Sequence, residues 1–269
     1  MHVLRPGTRL TEDPEVRGAW LLEMGGAAQS CVDPSDPTNL VFDYVRRIGD
    51  ALDLHADPGL PLRVVHVGGA AMTLPRYLVA TRPRSSQIVL EPDAELTAFV
   101  RAHLPLPPRS GVRVRPLDGM AGVSAMLDDY ADAVVVDAYA GDRVPPELTT
   151  TTFLSQVHRV LRSDGTVLMN LADQAPLGYL RRSVAGVREL FADVLVSGEP
   201  AVLRGRRFGN LLVLGSPGRL PVADLRRRAA GSAFPYRVTH GEALTRLVGS
   251  ARPFTDGDSA PSPAPPKGW

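Results

Sequence analysis

Short apolar runs alternate with helical repeats through the middle of the chain. The clearest run, 62–67 (LRVVHV), lies between Pro61 and Gly68 and is typical of a strand buried on both faces. Before it, apolar residues at helical spacing over 40–52 predict an amphipathic helix. After it, the pattern predicts strands over 87–91, 112–116, 131–137, 166–170, 194–197 and 210–215, and helices over 72–81, 93–103, 120–128, 149–161 and 177–191.

This alternation predicts a mostly parallel sheet that is covered by helices on both faces. The last two strands are joined by too little chain for a crossover helix, so we expect them to be antiparallel. Seven strands ending in an antiparallel hairpin predict an α/β fold of the class I methyltransferase-like (Rossmann-like) type. Weaker helices over about 221–231 and 240–249 would finish this domain.

The two ends of the chain have a different composition from the middle. In 1–35 we expect a loose arm and then a short β-hairpin, with strands over 16–23 and 27–32. The middle, 36–252, is the predicted Rossmann-like domain. The end, 253–269, is rich in Pro, Ser, Asp and Gly, and we predict a disordered tail because it has little apolar surface to bury.

Composition and charge exclude several classes of function. The 269 residues include 30 basic and 29 acidic ones, and a net charge of +1 argues against a general nucleic-acid binder or a membrane-surface protein. Arginine clusters at 204–207 and 226–228 are interpreted as solvated surface. Cys31 is the only cysteine, so we expect neither an intramolecular disulfide nor a cysteine-rich zinc site, and the six histidines have no metal-ligand spacing, so no metal is expected. Without an apolar leader or spanning run, a cytoplasmic protein is expected.

The residues that end the predicted strands carry the candidate chemistry, because ligands of open parallel sheets bind beyond the carboxyl ends of the strands. Gly68 and Gly69 end the first strand, where small residues let the backbone approach a ligand; a plain tight turn is the alternative. Glu91 ends the second strand and could accept both hydroxyls of a ribose. A helix cap is the other interpretation of Glu91, but Asp93 is already placed for that role.

Two further strand ends add acids. Asp118 and Gly119 follow the third strand, and the acid could receive an adenine amino group or cap a short helix. Asp137 ends the fourth strand and would face the reacting end of an adenosyl ligand, where it could accept a proton; capping the next loop is the alternative. Tyr139 and Tyr44 could line the pocket or simply pack. The loop 142–152 is a candidate gate.

Several of these segments resemble one known family when they are taken together in order. The chain is similar to the spermidine synthase (polyamine aminopropyltransferase) family, and most of all to the spermidine-synthase-like proteins of actinobacteria. The resemblance covers about 22–215. It rests on GGAAQS (25–30), FDY (42–44), HVGGAAMTLPRYL (66–78), VLEPD (89–93), LDG (117–119), VVVDAYAG (134–141) and NLLVLG (210–215).

The resemblance implies a role for each matching position. The family's donor is decarboxylated S-adenosylmethionine, its acceptor is a small amine, and its products are a longer polyamine and methylthioadenosine. The implied residues are Gln29 as a nucleoside contact, Tyr44 as a pocket tyrosine, Gly68 and Gly69 as the start of the glycine-rich loop, Glu91 as the ribose acid, Asp118 with Gly119 as the adenine pair, and Asp137 as the proton acceptor.

Two positions depart from the family pattern. The family loop usually has the sequence GGGDGG where this chain has GGAAMT, so Ala71 replaces an acid, and Ala140 replaces a second acid. Diamines are dications, so these losses weaken the case for putrescine unless Asp142, Asp173 or Asp36 compensates. We also expect the N-terminal sheet to be shorter than that of the family, which uses this region in its oligomer; a homodimer is left open.

The loss at Ala71 also bears on the donor. An acid there would repel the carboxylate of intact S-adenosylmethionine, and alanine removes that repulsion. Three hypotheses follow: an aminopropyltransferase-like enzyme, an S-adenosylmethionine-dependent methyltransferase, and a nucleoside-binding homologue without turnover. Asp137 favours the two enzymes, because a pure binder needs no proton acceptor.

Overall fold

The computed structural model describes residues 7–266, which form two β-sheets with helices around the larger one. The strands are β1 (Arg9–Glu12), β2 (Trp20–Met24), β3 (Ala27–Val32), β4 (Arg63–Val67), β5 (Ser86–Leu90), β6 (Val112–Arg115), β7 (Ala131–Val136), β8 (Leu161–Asp173), β9 (Asp193–Gly198), β10 (Gly209–Ser216) and β11 (Arg237–His240). The helices are α1 (Asp43–Asp53), α2 (Thr73–Thr81), α3 (Ala94–His103), α4 (Gly119–Ser124), α5 (Thr151–Val160), α6 (Gly178–Leu190), α7 (Pro200–Leu203), α8 (Val222–Gly231) and α9 (Glu242–Val248), with a 3₁₀ turn at Pro146–Thr149.

The larger sheet has eight strands in the order β11-β9-β10-β8-β7-β4-β5-β6. The five strands from β8 to β6 in this order are parallel, and β10 runs antiparallel to both β8 and β9. One apolar cluster, which includes residues of α4, α5 and α6, packs on one face, and a second, which includes residues of α1, α2 and α8, packs on the other. This confirms the predicted mostly parallel sheet with a C-terminal antiparallel hairpin.

Each sheet contains one strand that the pattern did not predict. β11 extends the predicted seven strands to eight, and it was missed because its short sequence RVTH has no buried apolar run. The smaller sheet is antiparallel with the order β1-β2-β3, so the predicted hairpin gains a strand from the predicted loose arm. β1 is a mostly exposed edge with the sequence RLTE, which carries little hydrophobic pattern. Residues 1–6 of the predicted arm lie outside the described residues.

The C-terminal segment, defined here as residues 253–266, packs on the domain, and the predicted disordered tail is therefore a correction. Phe254 is buried beneath the Arg182 guanidinium, 4.0 Å from the ring centroid. Ser262 is fully buried, and its hydroxyl accepts a hydrogen bond from the backbone N–H of Val144 at 2.9 Å. Phe254 and Ser262 anchor the segment to the domain. The average composition of the segment does not reveal two such residues. Residues 267–269 of the predicted tail lie outside the described part of the chain.

The helices are short compared with the thickness of a bilayer. Across residues 7–266, none has the length and apolar character that crossing a membrane requires.

Candidate active site

The carboxyl ends of β4, β5 and β7 meet at one edge of the sheet. The parallel register pairs Val67 with both Leu90 and Val136. Beyond the strands, the Gly68 N–H donates to the Leu90 carbonyl, and the Asp137 N–H donates to the Val67 carbonyl, each at 2.9 Å. The sequence-predicted residues 68, 91 and 137 are therefore brought together.

Gly68 and Gly69 occupy positions with no room for a side chain. Gly68 has a left-handed φ of +99°, and a Cβ on it would lie 2.2 Å from the carbonyl oxygen of Asp137. A Cβ on Gly69 would lie 2.9 Å from the Cβ of Glu91. Both glycines are thus required because the strand ends pack closely around them. A tight turn, the alternative interpretation from the sequence, would not by itself require this packing.

The rest of this loop is held in an unusual backbone conformation. Ala70 and Met72 have φ values of +38° and +61°, a region that favours glycine. The loop is tied to the smaller sheet through Thr73, whose hydroxyl donates to the Cys31 carbonyl at 3.0 Å and lies 3.1 Å from the Ser30 hydroxyl. The N-terminal strands therefore form one wall beside the glycine loop.

Glu91 is fixed at the rim of this edge by backbone donors. One carboxylate oxygen accepts from the N–H groups of Gly69 at 3.0 Å and Ala70 at 3.4 Å, and the other accepts from Asp93 at 3.0 Å. Asp93 also caps α3 through Leu96, as the sequence predicted. Each carboxylate oxygen has about two lone pairs. The fixed Glu91 thus retains acceptor capacity, and its ribose role stays a prediction.

Asp118 and Gly119 lie at the next strand end, at the start of α4. The exposed Asp118 accepts from the Ala121 N–H at 2.8 Å, so it acts as the N-cap of α4, one of the two interpretations left open by the sequence. A Cβ on Gly119 would lie 2.5 Å from Val67, which places this glycine directly against the end of β4. The adenine contact stays a prediction for both residues.

Asp137 is held between two side chains from different elements. Its Oδ1 accepts from the Asn170 amide at 2.9 Å, and the carboxylate also accepts a hydrogen bond from the Tyr44 hydroxyl. Burial raises the pKa of Asp137 to about 6, while the bonds from Asn170 and Tyr44 act in the opposite direction. A carboxyl group with that pKa is suited to proton transfer near neutral pH.

Asn170 is a site residue that the sequence analysis missed. It lies on β8, only 1% exposed, and its Oδ1 is buried with no hydrogen-bond partner among residues 7–266. The register of β8 with β7 pairs Met169 with Val136, so the next residues, Asn170 and Asp137, become neighbours. A lone polar residue in the run VLMNLA was the available signal.

The two predicted pocket tyrosines lie close to this acid. Tyr44 is placed by α1, which is pinned to the sheet because the buried Arg47 donates to the carbonyls of Ser197 and Asn210 at 3.2 and 3.3 Å. Burial and then the nearby Asp137 raise the pKa values of Tyr44 and Tyr139 well above the usual value, so both phenols stay protonated. They therefore act here as hydrogen-bond donors.

Gln29, on β3 of the smaller sheet, contacts the loop that follows β7. Its amide nitrogen lies 3.5 Å from the carbonyl of Gly141, in the loop that follows β7. Gln29 is thus near the candidate acid's loop, whereas its nucleoside contact stays a prediction.

The positions of the missing family acids have different surroundings. Ala71 is fully buried in an apolar cluster with Leu22 and Leu96, whereas Ala140 is exposed. Of the acids that might compensate, Asp173 already accepts from two backbone N–H groups at 2.8 Å, and Asp36 accepts from Thr38. Asp173 and Asp36 are thus already engaged in hydrogen bonds with their own surroundings.

Comparisons with known proteins find polyamine aminopropyltransferases and spermidine synthases. No protein-family model matches the chain. A polyamine aminopropyltransferase from Chromobacterium violaceum is 23% identical over 249 residues, which cover 90% of this chain and 89% of that protein. A crystal structure of a probable spermidine synthase from Corynebacterium glutamicum covers 93% of both chains at 28% identity, with a TM-score of 0.86.

A more distant structure shares the fold. A spermidine synthase in complex with the transition-state analogue AdoDATO has a TM-score of 0.59 at 16% identity and covers 91% of this chain and 83% of its own. These comparisons confirm the resemblance indicated by the motifs, including its actinobacterial side, and the prediction of a transferase-type enzyme. Over most of its length, the chain therefore resembles spermidine synthases and polyamine aminopropyltransferases, and it has a methyltransferase-like α/β fold.

Proposed function

We propose that this chain transfers an aminopropyl group from decarboxylated S-adenosylmethionine to a small amine. The observation that carries the proposal is the Asp137 carboxylate, held by Asn170 and Tyr44 beside the glycine loop and Glu91. The names of the similar proteins, aminopropyltransferase and spermidine synthase, support the same reaction.

In the proposed step, the lone pair of the amine nitrogen attacks the aminopropyl carbon next to the sulfonium. The new C–N bond forms as the C–S bond breaks, and the electron pair of that bond neutralises the sulfur to give methylthioadenosine. The extra proton on the nitrogen passes to Asp137. The Asn170 side chain that holds this carboxylate also carries a buried Oδ1 with no donor among residues 7–266. The carboxylate and this oxygen are two acceptors that suit a nucleophile with N–H groups.

The adenosine part of the donor would lie along the ends of β4, β5 and β6. Glu91 would accept the ribose hydroxyls, Asp118 and Gly119 would border the adenine, and Gln29 would approach from the smaller sheet. Gly68 and Gly69 let the ends of β4, β5 and β7 pack closely at this edge. The aminopropyl end would then point towards Asp137, with Tyr44 and Tyr139 beside the amine.

A methyltransferase is the second candidate, and one observation favours it. Ala71 lies in an apolar cluster, so no acid at this position would repel the carboxylate of intact S-adenosylmethionine. Calorimetry with both donors and with methylthioadenosine separates the hypotheses. Binding of the decarboxylated donor alone supports aminopropyl transfer, preference for the intact donor supports methyl transfer, and binding without product in an amine screen supports a nucleoside binder.

The direct test of the mechanism is Asp137→Asn. We expect turnover to fall by roughly 10²–10⁴-fold, because the proton acceptor is lost, while methylthioadenosine binding stays within about twofold. The wild-type rate should fall as the pH drops below about 6, where Asp137 becomes protonated and can no longer accept a proton. Asp57→Asn, an exposed acid in the loop between α1 and β4, is the matched control. Full activity of the Asp137 variant would remove this residue from the mechanism.

A further inference from the structure

Asn170 is a polar side chain in the otherwise apolar run 167–172 of β8. It is 1% exposed, and the strand residues on either side of it, Met169 and Leu171, are fully buried. A buried amide costs free energy unless it is hydrogen-bonded. Packing alone would favour an apolar residue here, so the reason for the amide lies in the groups that it contacts.

The amide nitrogen of Asn170 contacts two groups of the candidate site. One contact is the Asp137 Oδ1 at 2.9 Å, and the other is the Tyr139 hydroxyl at 3.3 Å. The orientation of the amide follows from chemistry, because an ionised carboxylate accepts hydrogen bonds and must face the NH₂ group. The Tyr139 hydroxyl in turn donates to the Asn210 Oδ1 at 3.4 Å, which extends the chain of bonds to β10.

We infer that Asn170 is the positioning residue of the site: its one amide nitrogen fixes the Asp137 carboxylate and the Tyr139 hydroxyl relative to each other. It acts through Asp137. Its effect on turnover rests on the proposed function, whereas its effect on the Asp137 carboxylate does not.

The same bond also affects proton transfer. An amide that donates to a carboxylate favours the charged form, so removal of the amide should raise the pKa of Asp137 further. The other titratable groups that face Asp137 are Tyr44 from α1 and Tyr139 from its own loop, and both remain in an Asn170 variant. Asp43, which precedes Tyr44, is paired with Arg47 at 3.3 Å.

The test compares Asn170→Leu with Tyr139→Phe. The first removes the amide donor, and the second keeps the bond between Asn170 and Asp137 but removes the phenol oxygen. For Asn170→Leu we expect the acid limb of the pH–rate profile to move up by about one pH unit and kcat at pH 8 to fall by about tenfold. Methylthioadenosine affinity should stay within twofold. Tyr139→Phe should leave the acid limb in place.

A second measurement does not depend on turnover. Carbon-13 NMR of the carboxyl groups, with the Asp137 signal assigned by its loss in Asp137→Asn, gives the titration of this acid directly. We expect the midpoint to rise in Asn170→Leu and to return towards the wild-type value in Asn170→Gln, which restores an amide. If Asn170→Leu does not fold, Asn170→Ala takes its place.

The outcomes separate this inference from the proposed function. An Asp137 midpoint that is unchanged in Asn170→Leu or Asn170→Ala would overturn the inference, even if the enzyme is an aminopropyltransferase. A shifted midpoint without turnover on any amine would support the positioning of Asp137 by Asn170 and argue against the proposed reaction.

Discussion

Two loops leave the sheet beside Asp137, and they are held in place by different means. The loop after β4, residues 68–72, is fixed by its own backbone: glycines where no Cβ fits, then left-handed Ala70 and Met72. The loop after β7, residues 138–150, contains buried Val144, whose N–H and carbonyl bond to Ser262. The first loop takes its shape from its own glycines and left-handed residues, which pack against Asp137 and Glu91, whereas the second is bonded to a segment 118 positions away.

The largest effect is expected from Gly68→Ala. The new Cβ would lie 2.2 Å from the Asp137 carbonyl oxygen at a φ of +99°, so both loops would have to shift. We expect a loss of about 3 kcal/mol or more in the free energy of unfolding, measured by urea denaturation, and loss of methylthioadenosine binding.

Gly59→Ala is the matched control for Gly68→Ala. Gly59 also has a positive φ, +80°, but nothing lies within 4 Å of its Cβ position, so only backbone strain of about 1–2 kcal/mol is expected. Equal losses in the two variants would show that the strand ends are not closely packed at Gly68.

An intermediate effect is expected from Ser262→Ala. The buried Val144 N–H loses its acceptor, which should cost about 1–3 kcal/mol. Hydrogen exchange should become faster in residues 138–150 and stay unchanged in residues 68–72. Ser259→Ala is the control, because Ser259 makes no side-chain hydrogen bond within residues 7–266. Faster exchange in both loops would mean that they are not held independently.

The smallest effect, and one of opposite sign, is expected from Ala70→Gly. Glycine relieves the left-handed conformation at φ +38°, so we expect stability to rise by up to about 1 kcal/mol in thermal unfolding. Ala80→Gly, at an exposed helical position of α2, should instead cost about 1 kcal/mol. A destabilised Ala70→Gly variant would indicate that the methyl group matters more than the backbone strain.

The parts of the molecule that could be predicted from the sequence are those determined by residues adjacent in the chain. Buried strands such as β4 and β7 are continuous apolar runs, and the residues that end them, Gly68 and Asp137, follow from the rule that parallel strands present their carboxyl ends together. β11 and β1 were missed because edge strands with exposed side chains have no such run.

The missed parts of the site have causes that depend on register and distant contacts. Asn170 contacts Asp137 only because β8 pairs with β7 in one particular register, which no single segment contains. Phe254 and Ser262 lie in a Pro-rich segment whose composition predicts disorder, and both are buried by contacts with distant parts of the chain. Asp118 was left with two interpretations because a helix cap and an adenine contact require the same residue type at the same place.

The bonds between Val144 and Ser262 have a consequence for biosynthesis. Residues up to the end of β8 can leave the ribosome and pair while Ser262 is still untranslated. During that time the loop 138–150 lacks its hydrogen bonds to Ser262. A nascent chain can therefore pair β4, β5, β6, β7 and β8 before the loop after β7 is bonded to Ser262. A protease that cuts near residue 258 would separate Ser262 from the domain and weaken its bonds to this loop, without cleaving at any residue of the proposed site.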